Sequence, residues 1–174
     1  METLTTDTDR RAQVSRMVIL YEKEMLTLCF VYLRNMDLAQ EALQESFLKA
    51  YARYDTFRGE ASEKTWLTRI VINTCKDFRR SAWFRHRGGM EELNPDSTAG
   101  SVPAPDETRI DLMDAILKLP MKNREVILLK YQQGLNNREI AELLRLTPMA
   151  VSKRMSQAYD RLKMDLEGEA PYEE

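Results

Sequence analysis

Cysteine, histidine, glycine and proline are all scarce in this 174-residue chain, at two, one, six and six residues. Each scarcity excludes something. Cys29 and Cys75 lie far apart in apolar contexts. They make neither a disulfide framework nor a metal-ligand spacing, and they fit a reducing cytoplasm. Both read as packing residues. The single histidine, His86, cannot build a His-rich metal site. Few turn residues and abundant Leu, Ala, Glu, Arg and Met point to an all-α fold. A basic-then-apolar leader is missing, as is any apolar run of about 18 residues, so neither export nor membrane insertion is expected and the location reads as cytoplasmic. Serine–histidine pairing, carboxylates at metal spacing and a Gly-rich phosphate loop are also lacking. The sequence therefore predicts no enzyme, no cofactor and no metal. A net charge of −2 does not advertise nucleic-acid binding either, but the average hides an asymmetry along the chain.

What the chain does contain is clearest from Gly134 to Leu162, GLNNREIAELLRLTPMAVSKRMSQAYDRL. Asn136 can cap a helix whose inward positions are Ile140, Ala141, Leu143 and Leu144. After a short break, Thr147 suits an N-cap and Pro148 the first helical position, where its missing N–H costs nothing. Val151, Met155, Ala158 and Leu162 then recur at four, three and four, giving one buried stripe. The opposite face carries Ser152, Lys153, Ser156, Gln157 and Asp160. Two short helices at a tight turn, the second exposing polar groups near its N-terminus, form a helix-turn-helix suited to the DNA major groove. The plainer alternative is an ordinary αα-hairpin.

Upstream, apolar spacing predicts a long amphipathic helix over 10–34, with Val14, Met17, Val18, Tyr21, Met25, Leu28, Cys29, Tyr32 and Leu33 inward. A break at Asn35-Met36 follows, with Asp37 as N-cap of a second helix over 38–54. Its stripe is Leu38, Ala42, Phe47, Ala50 and Tyr51, widened by Leu43 and Leu48. Gln40, Glu41, Gln44 and Glu45 make an acidic, polar patch, which on residues alone reads as a solvated face. In the loop DTFRGEASEK, Gly59 permits a turn and Ser62 can cap a third helix over 63–82. On that helix Arg69, Asn73, Lys76 and Arg80 share a face. From Arg58 to Arg87 eight Lys/Arg stand against three acids, a local charge of +5. A basic stripe with an Asn, beside an aromatic-bearing loop, suits a nucleic-acid backbone and an unstacked base. Trp66 reads as core. Trp83 and Phe84 are open to packing or stacking.

Residues 88–107 hold three Pro, three Gly, five acids and no Lys or Arg. They read as a flexible acidic linker and spacer. Beyond it, Ile110, Leu112, Met113, Ile116, Leu117 and Leu119 predict a helix ending before Pro120. Asn123 to Gln133 predict another, with Val126, Ile127, Leu129 and Tyr131 apolar, Lys130 facing solvent and Gly134 ending it. The fold expected is thus all-α, two small helical domains at 1–87 and 108–166 joined by the linker, with the helix-turn-helix in the second and an acidic tail at 167–174.

This organisation resembles a bacterial RNA polymerase sigma factor of the extracytoplasmic-function (ECF) group of the sigma-70 family. Four stretches carry the resemblance: DLAQEALQESFLKAYARY at 37–54, TWLTRIVINTCKDFRR at 65–80, Leu119-Pro120 through REVILLKY ending at 131, and GLNNREIAELLRLTPMAVSKRM at 134–155. It implies a transcription initiation factor whose partners are core RNA polymerase, promoter DNA both as duplex and as melted non-template strand, and an anti-sigma factor that could hold it at a membrane. The helix matching 37–54 is implied to dock on the clamp coiled coil of the polymerase largest subunit through Asp37, Glu41, Gln44, Glu45 and Phe47. That reverses the solvated-face reading. The loop and helix matching 57–80 are implied to recognise and melt the −10 box, with Phe57, Arg58, Gly59, Asn73, Lys76, Asp77 and Arg80 as candidates. The last domain is implied to read the −35 box through Ser152, Lys153, Arg154, Ser156 and Gln157. Three departures stand out: Arg145 where Gly is common in the turn, and Ser152 and Gln157 where Lys or Arg is common. A dimeric helix-turn-helix regulator is the competing class, but it leaves the basic stripe and loop at 57–80 without a role.

Overall fold

The computed structural model describes residues 7–86 and 107–167, with side chains over 7–81 and 112–165. The linker expected over 88–107 and the tail from 167 fall outside that range, except for Glu107 and Glu167, which are helical, and the side chains of Trp83 and Phe84 also lie outside it. Among the described residues there are seven α-helices, one 3₁₀ turn and no strand. The chain divides into two compact units, between Gly100 and Ser101.

In the first unit α1 (Asp7–Leu33), α2 (Met36–Arg53) and α3 (Glu63–His86) pack pairwise, with a 3₁₀ turn at Tyr54–Thr56 after α2. Helix α1 begins three residues earlier than expected, because Asp7 and Asp9 suit the positive end of a helix dipole. It ends at Arg34, which takes a left-handed φ of 51° while its N–H donates to the Phe30 carbonyl. Asn35, not Asp37, then caps α2: its extended backbone lets the Leu38 N–H donate to Oδ1 at 2.9 Å. Asp37 lies instead in the first turn, exposed.

The core is Met17, Met25, Leu28, Cys29 and Val31 from α1, Ala39, Ala42 and Ala50 from α2, and Leu67, Val71, Ile72 and Cys75 from α3. Alanines at that spacing let the helix axes approach closely. Buried hydroxyls are satisfied locally: Ser46 donates to the Ala42 carbonyl at 2.6 Å and Thr74 to that of Ile70 at 2.9 Å. Leu48 does not widen the stripe as expected. It is 65% exposed, because it lies four residues beyond Gln44 on the outer face.

The second unit holds α4 (Glu107–Lys118), α5 (Met121–Tyr131), α6 (Asn137–Leu144) and α7 (Pro148–Glu167). Every residue from Asn123 to Leu129 is buried. Arg124 donates to the carbonyls of Leu117 at 2.6 Å and Leu119 at 2.8 Å. It thereby satisfies acceptors that the end of α4 leaves open. Helix α5 starts two residues earlier than expected, since Pro120 precedes it in an extended conformation that suits a helix entry. Tyr131 is not core. It is 63% exposed and meets the Tyr159 ring edge-on, with hydroxyls hydrogen-bonded.

Candidate nucleic-acid interface

The helix-turn-helix is built as its caps direct. Asn136 accepts from the Arg138 and Glu139 N–H groups at 3.0 Å each, and Glu139 accepts from the Asn136 N–H at 2.8 Å, a reciprocal capping box. Ile140, Ala141 and Leu143 face inward. Arg145 ends α6 at φ 55°, ψ 48°, so the left-handed turn is kept although the residue is not glycine. Thr147 Oγ1 accepts from the Ala150 N–H at 3.1 Å, which starts α7 at Pro148. Val151, Met155, Ala158 and Leu162 are all buried.

The outer face of α7 therefore presents Ser152, Lys153, Ser156 and Gln157 to solvent. Met149, 82% exposed in the first turn, joins them. Arg154 does not. It turns toward α5 and pairs with Glu125 at 2.8 Å, with side-chain exposures of 25% and 10%. Its position three residues after Val151 and one before Met155 places it at the edge of the buried stripe, apart from the solvent-facing residues with which the resemblance groups it. Asn137 enters the same surface without having been singled out by sequence reasoning. Its amide donates to Ser152 Oγ at 3.1 Å and accepts from Lys130 Nζ at 3.3 Å. Lys130 is thus half-buried and engaged rather than simply solvated.

In the first unit the loop between α2 and α3 is tied at both ends to α1. Arg10 pairs with Asp55 before it and Arg16 with Glu63 after it, and Lys64 pairs with Glu24 at 2.6 Å. Arg10 also lies over the Tyr51 ring, 5.6 Å from its centroid. Gly59 takes φ 72° at the exposed tip beside Arg58. A Cβ there would meet no atom within 4 Å, so the backbone conformation alone favours glycine. Phe57 is half-buried rather than splayed out. Its centroid lies 5.3 Å from that of Trp66 and 6.3 Å from that of Tyr54. The three rings form a floor beneath the loop, which gives Trp66 a packing role.

Ser62 caps α3 through the Thr65 N–H at 3.1 Å. Along α3, Arg69, Asn73 and Arg80 are exposed and Lys76 is half-buried. Arg79, outside the predicted set, is exposed too. Asp77 pairs with Arg80 at 2.7 Å and stands 3.9 Å from Lys49, whose ammonium also reaches Thr74 at 3.3 Å and Glu45 at 3.8 Å. Lys49 thereby links α2 to α3, a role invisible in sequence because it depends on packing between the helices.

On α2, Asp37, Glu41, Gln44 and Leu48 are exposed at spacings of four, three and four. They make a polar stripe with an apolar end. Phe47 and Glu45 are half-buried beside it. Among the described residues no cluster of three His, Cys, Asp or Glu could hold a metal, and no helix is long and apolar enough to cross a membrane.

Comparison with known proteins accounts for both units. Residues 17–85 match the family described as Sigma-70 region 2, and residues 109–162 match Sigma-70, region 4. Among curated proteins, the ECF RNA polymerase sigma-E factor of Salmonella typhimurium is 30% identical over 162 residues, 84% of this chain and 82% of that one. SigW of Bacillus subtilis is 29% identical over 161 residues, 86% of each. The chain spans only 40% of the length of RfaY, a probable RNA polymerase sigma factor of Xanthomonas campestris, at 29% identity, and 64% of SigM of Mycobacterium tuberculosis, at 30%. Among solved structures, RpoE of Bartonella quintana, in complex with the anti-sigma factor NepR, aligns with a TM-score of 0.75 at 19% identity over 89% of this chain and 97% of that one. CnrH, in complex with the cytosolic domain of CnrY, aligns with a TM-score of 0.66 at 20% identity over 94% of each chain.

Proposed function

The chain belongs to the extracytoplasmic-function group of sigma-70 factors, and we propose that it acts as a transcription initiation subunit that binds core RNA polymerase and directs it to a set of promoters. It makes and breaks no bond; its work is binding. The observation that carries this reading is the presence, on one chain, of two different faces suited to nucleic acid. One is the cationic face of α3, fed by a tethered loop over an aromatic floor. The other is the polar outer face of a helix-turn-helix. A dimeric duplex-binding regulator would use only the second.

In this reading the stripe Asp37, Glu41, Gln44 and Leu48, with Glu45 and Phe47 at its margin, docks on the polymerase clamp. Arg69, Lys76 and Arg80 hold the phosphates of the −10 segment. Arg58, Gly59 and Asn73 line the site that accepts an unstacked base of the non-template strand, with Phe57 and Asp77 supporting them from behind. Unstacking a base costs about a few kcal/mol, offset by its burial in the pocket. Ser152, Lys153, Ser156 and Gln157 read the −35 box, while Arg154 positions their helix. The domain limits of this reading are 1–87 and 108–166, joined by the segment 88–107. The likeness to folds solved with anti-sigma factors supports an anti-sigma partner covering the same faces. It also supports a cytoplasmic location, at the membrane where that partner resides there.

Reconstitution tests the proposal. The full chain added to core polymerase should give initiation at discrete, mappable start sites on genomic fragments. No association with core polymerase would rule the reading out, and tight polymerase-independent binding to a palindrome would favour the dimeric regulator instead.

A further inference from the structure

Three helices of the second unit each contribute one side chain to a line of hydrogen bonds that ends on the recognition helix. Lys130 stands in the last turn of α5, Asn137 at the first position of α6 and Ser152 on the outer face of α7. Lys130 Nζ donates to Asn137 Oδ1 at 3.3 Å, and Asn137 Nδ2 donates to Ser152 Oγ at 3.1 Å. An ammonium can only donate, so it fixes which way the amide faces, with oxygen toward Lys130 and NH₂ toward Ser152. Ser152 then has one lone pair occupied. Among the described residues its own proton has no acceptor.

The line runs in one direction, from cation to amide to hydroxyl, and each bond polarises the next. A ligand that accepts from Ser152 completes it. A ligand that donates to Ser152 would strand the hydroxyl proton in a groove emptied of water, which is costly. In the major groove, guanine offers O6 and N7, thymine O4 and adenine N7 as acceptors (adenine beside its N6 amino donor), whereas cytosine offers only its N4 amino group. Resting on the upstream-box reading proposed above, we infer that Asn137, backed by Lys130, is a positioning residue that fixes the hydrogen-bond polarity of Ser152, so that the recognition helix selects a base edge with an acceptor (guanine or thymine, with adenine N7 tolerated) and rejects cytosine at the base facing Ser152.

Asn137→Asp reverses the polarity with little change of shape. A carboxylate accepts from Lys130 and from the Ser152 hydroxyl alike, turning the serine proton inward and leaving lone pairs toward the groove. The fold should tolerate it, because an acid in the first turn of a helix is favourable. Asn137→Ala removes the constraint and leaves Ser152 free to donate or accept.

The test uses the full chain assembled with core polymerase on a promoter library randomised through the upstream box of a mapped start site, with transcribed templates sequenced. For the native chain, one position should favour G or T over C by roughly three- to tenfold, about half the free-energy discrimination of a bidentate contact. Asn137→Asp should invert that preference at the same position, and Asn137→Ala should flatten it. In a Ser152→Ala background, Asn137→Asp should change nothing at that position. An unaltered preference in both Asn137 variants overturns the inference while the upstream-box reading stands. An effect of Asn137→Asp that persists without the Ser152 hydroxyl also overturns it, since Asn137 would then touch DNA itself. A native chain that transcribes with no upstream preference at all removes the upstream-box reading and the inference together.

Discussion

Arg154→Ala separates two roles that an arginine on a recognition helix can have. The native guanidinium pairs with Glu125 at 2.8 Å, and the Glu125 side chain is 10% exposed. Removing one partner of a fully buried pair costs about 3–5 kcal/mol, because the other is left charged and desolvated. Here Arg154 is itself 25% exposed and Glu125 has a further partner. Water and that partner recover part of the loss, so we expect about 2 kcal/mol. That corresponds to roughly 30-fold faster hydrogen exchange of the most protected amides in α5 and α7.

The second readout is promoter binding by the assembled polymerase across a salt series. A side chain that neutralises one phosphate contributes about one unit to the slope of log affinity against log salt. Arg154→Ala should weaken binding through the loosened helix yet leave that slope unchanged, while Lys153→Ala should lower the slope by about one unit and leave exchange in α5 and α7 unchanged. Glu125→Gln keeps the shape and should cost less than Arg154→Ala, since the guanidinium it leaves behind can reach water. If Arg154→Ala leaves exchange as it was and takes a unit from the salt slope, the guanidinium grips phosphate in the complex and its pair with Glu125 does not hold α7 in place.

Three other outcomes are expected. Arg145→Gly should stabilise the second unit by about 0.5–1 kcal/mol, because glycine removes the left-handed strain at φ 55° and gives back part of the gain as unfolded-chain entropy; a lowered urea midpoint would contradict this. Asn73→Ala should reduce permanganate reactivity of promoter thymines severalfold without changing core polymerase affinity, and equal reactivity would remove Asn73 from the melting site. The Cys29 thiol is pushed up first by its hydrogen bond with Cys75 and then by burial, so the folded state holds that proton more tightly than the unfolded one. Its contribution to stability is complete below the free-thiol value of about 8.5 and declines as pH rises toward the folded value. Thiol reagents near neutral pH should therefore label Cys29 only at the rate of unfolding, and labelling at the rate of a free thiol would refute the packing.

What the sequence disclosed is local. Caps, a proline at the first position of α7 and stripes of period 3.6 are written in adjacent residues, so Ser62, Asn136 and Thr147 are found in the roles their spacing implies. Asn35 displaced Asp37 as a cap because both side chains suit the task and the backbone break decides between them. Leu48 lies outside the buried stripe because period alone leaves the width of that stripe open, and helix packing on α2 stops short of it. Contacts between distant residues left no such trace. The Arg10–Asp55 and Arg16–Glu63 tethers, the Lys49 link, the Arg154–Glu125 pair and the Lys130–Asn137–Ser152 line each join two or three separate elements. In sequence, each of these residues reads as surface charge or polarity.

The inward turn of Arg154 has a consequence for how the two units divide their work. Of the −35 candidates only Lys153 carries a charge that faces solvent unpaired. One phosphate contact from that set releases few counterions, so the candidates themselves add little to duplex affinity in the upstream-box reading. The first unit is cationic over 58–87, and its Arg69 and Arg79 stand exposed. Held on one polymerase, a weak reader needs little affinity, because tethering supplies effective concentration. What it must supply is discrimination, and neutral hydroxyls and amides with fixed polarity discriminate between base edges better than they attract phosphates. In the upstream-box reading proposed above, serine and glutamine on the outer face of α7 therefore trade grip for selectivity. Restoring charge by Ser152→Lys should raise upstream-box affinity and steepen its salt dependence by about one unit while narrowing the spread among base choices. An increase in affinity accompanied by sharper base preference would contradict that division.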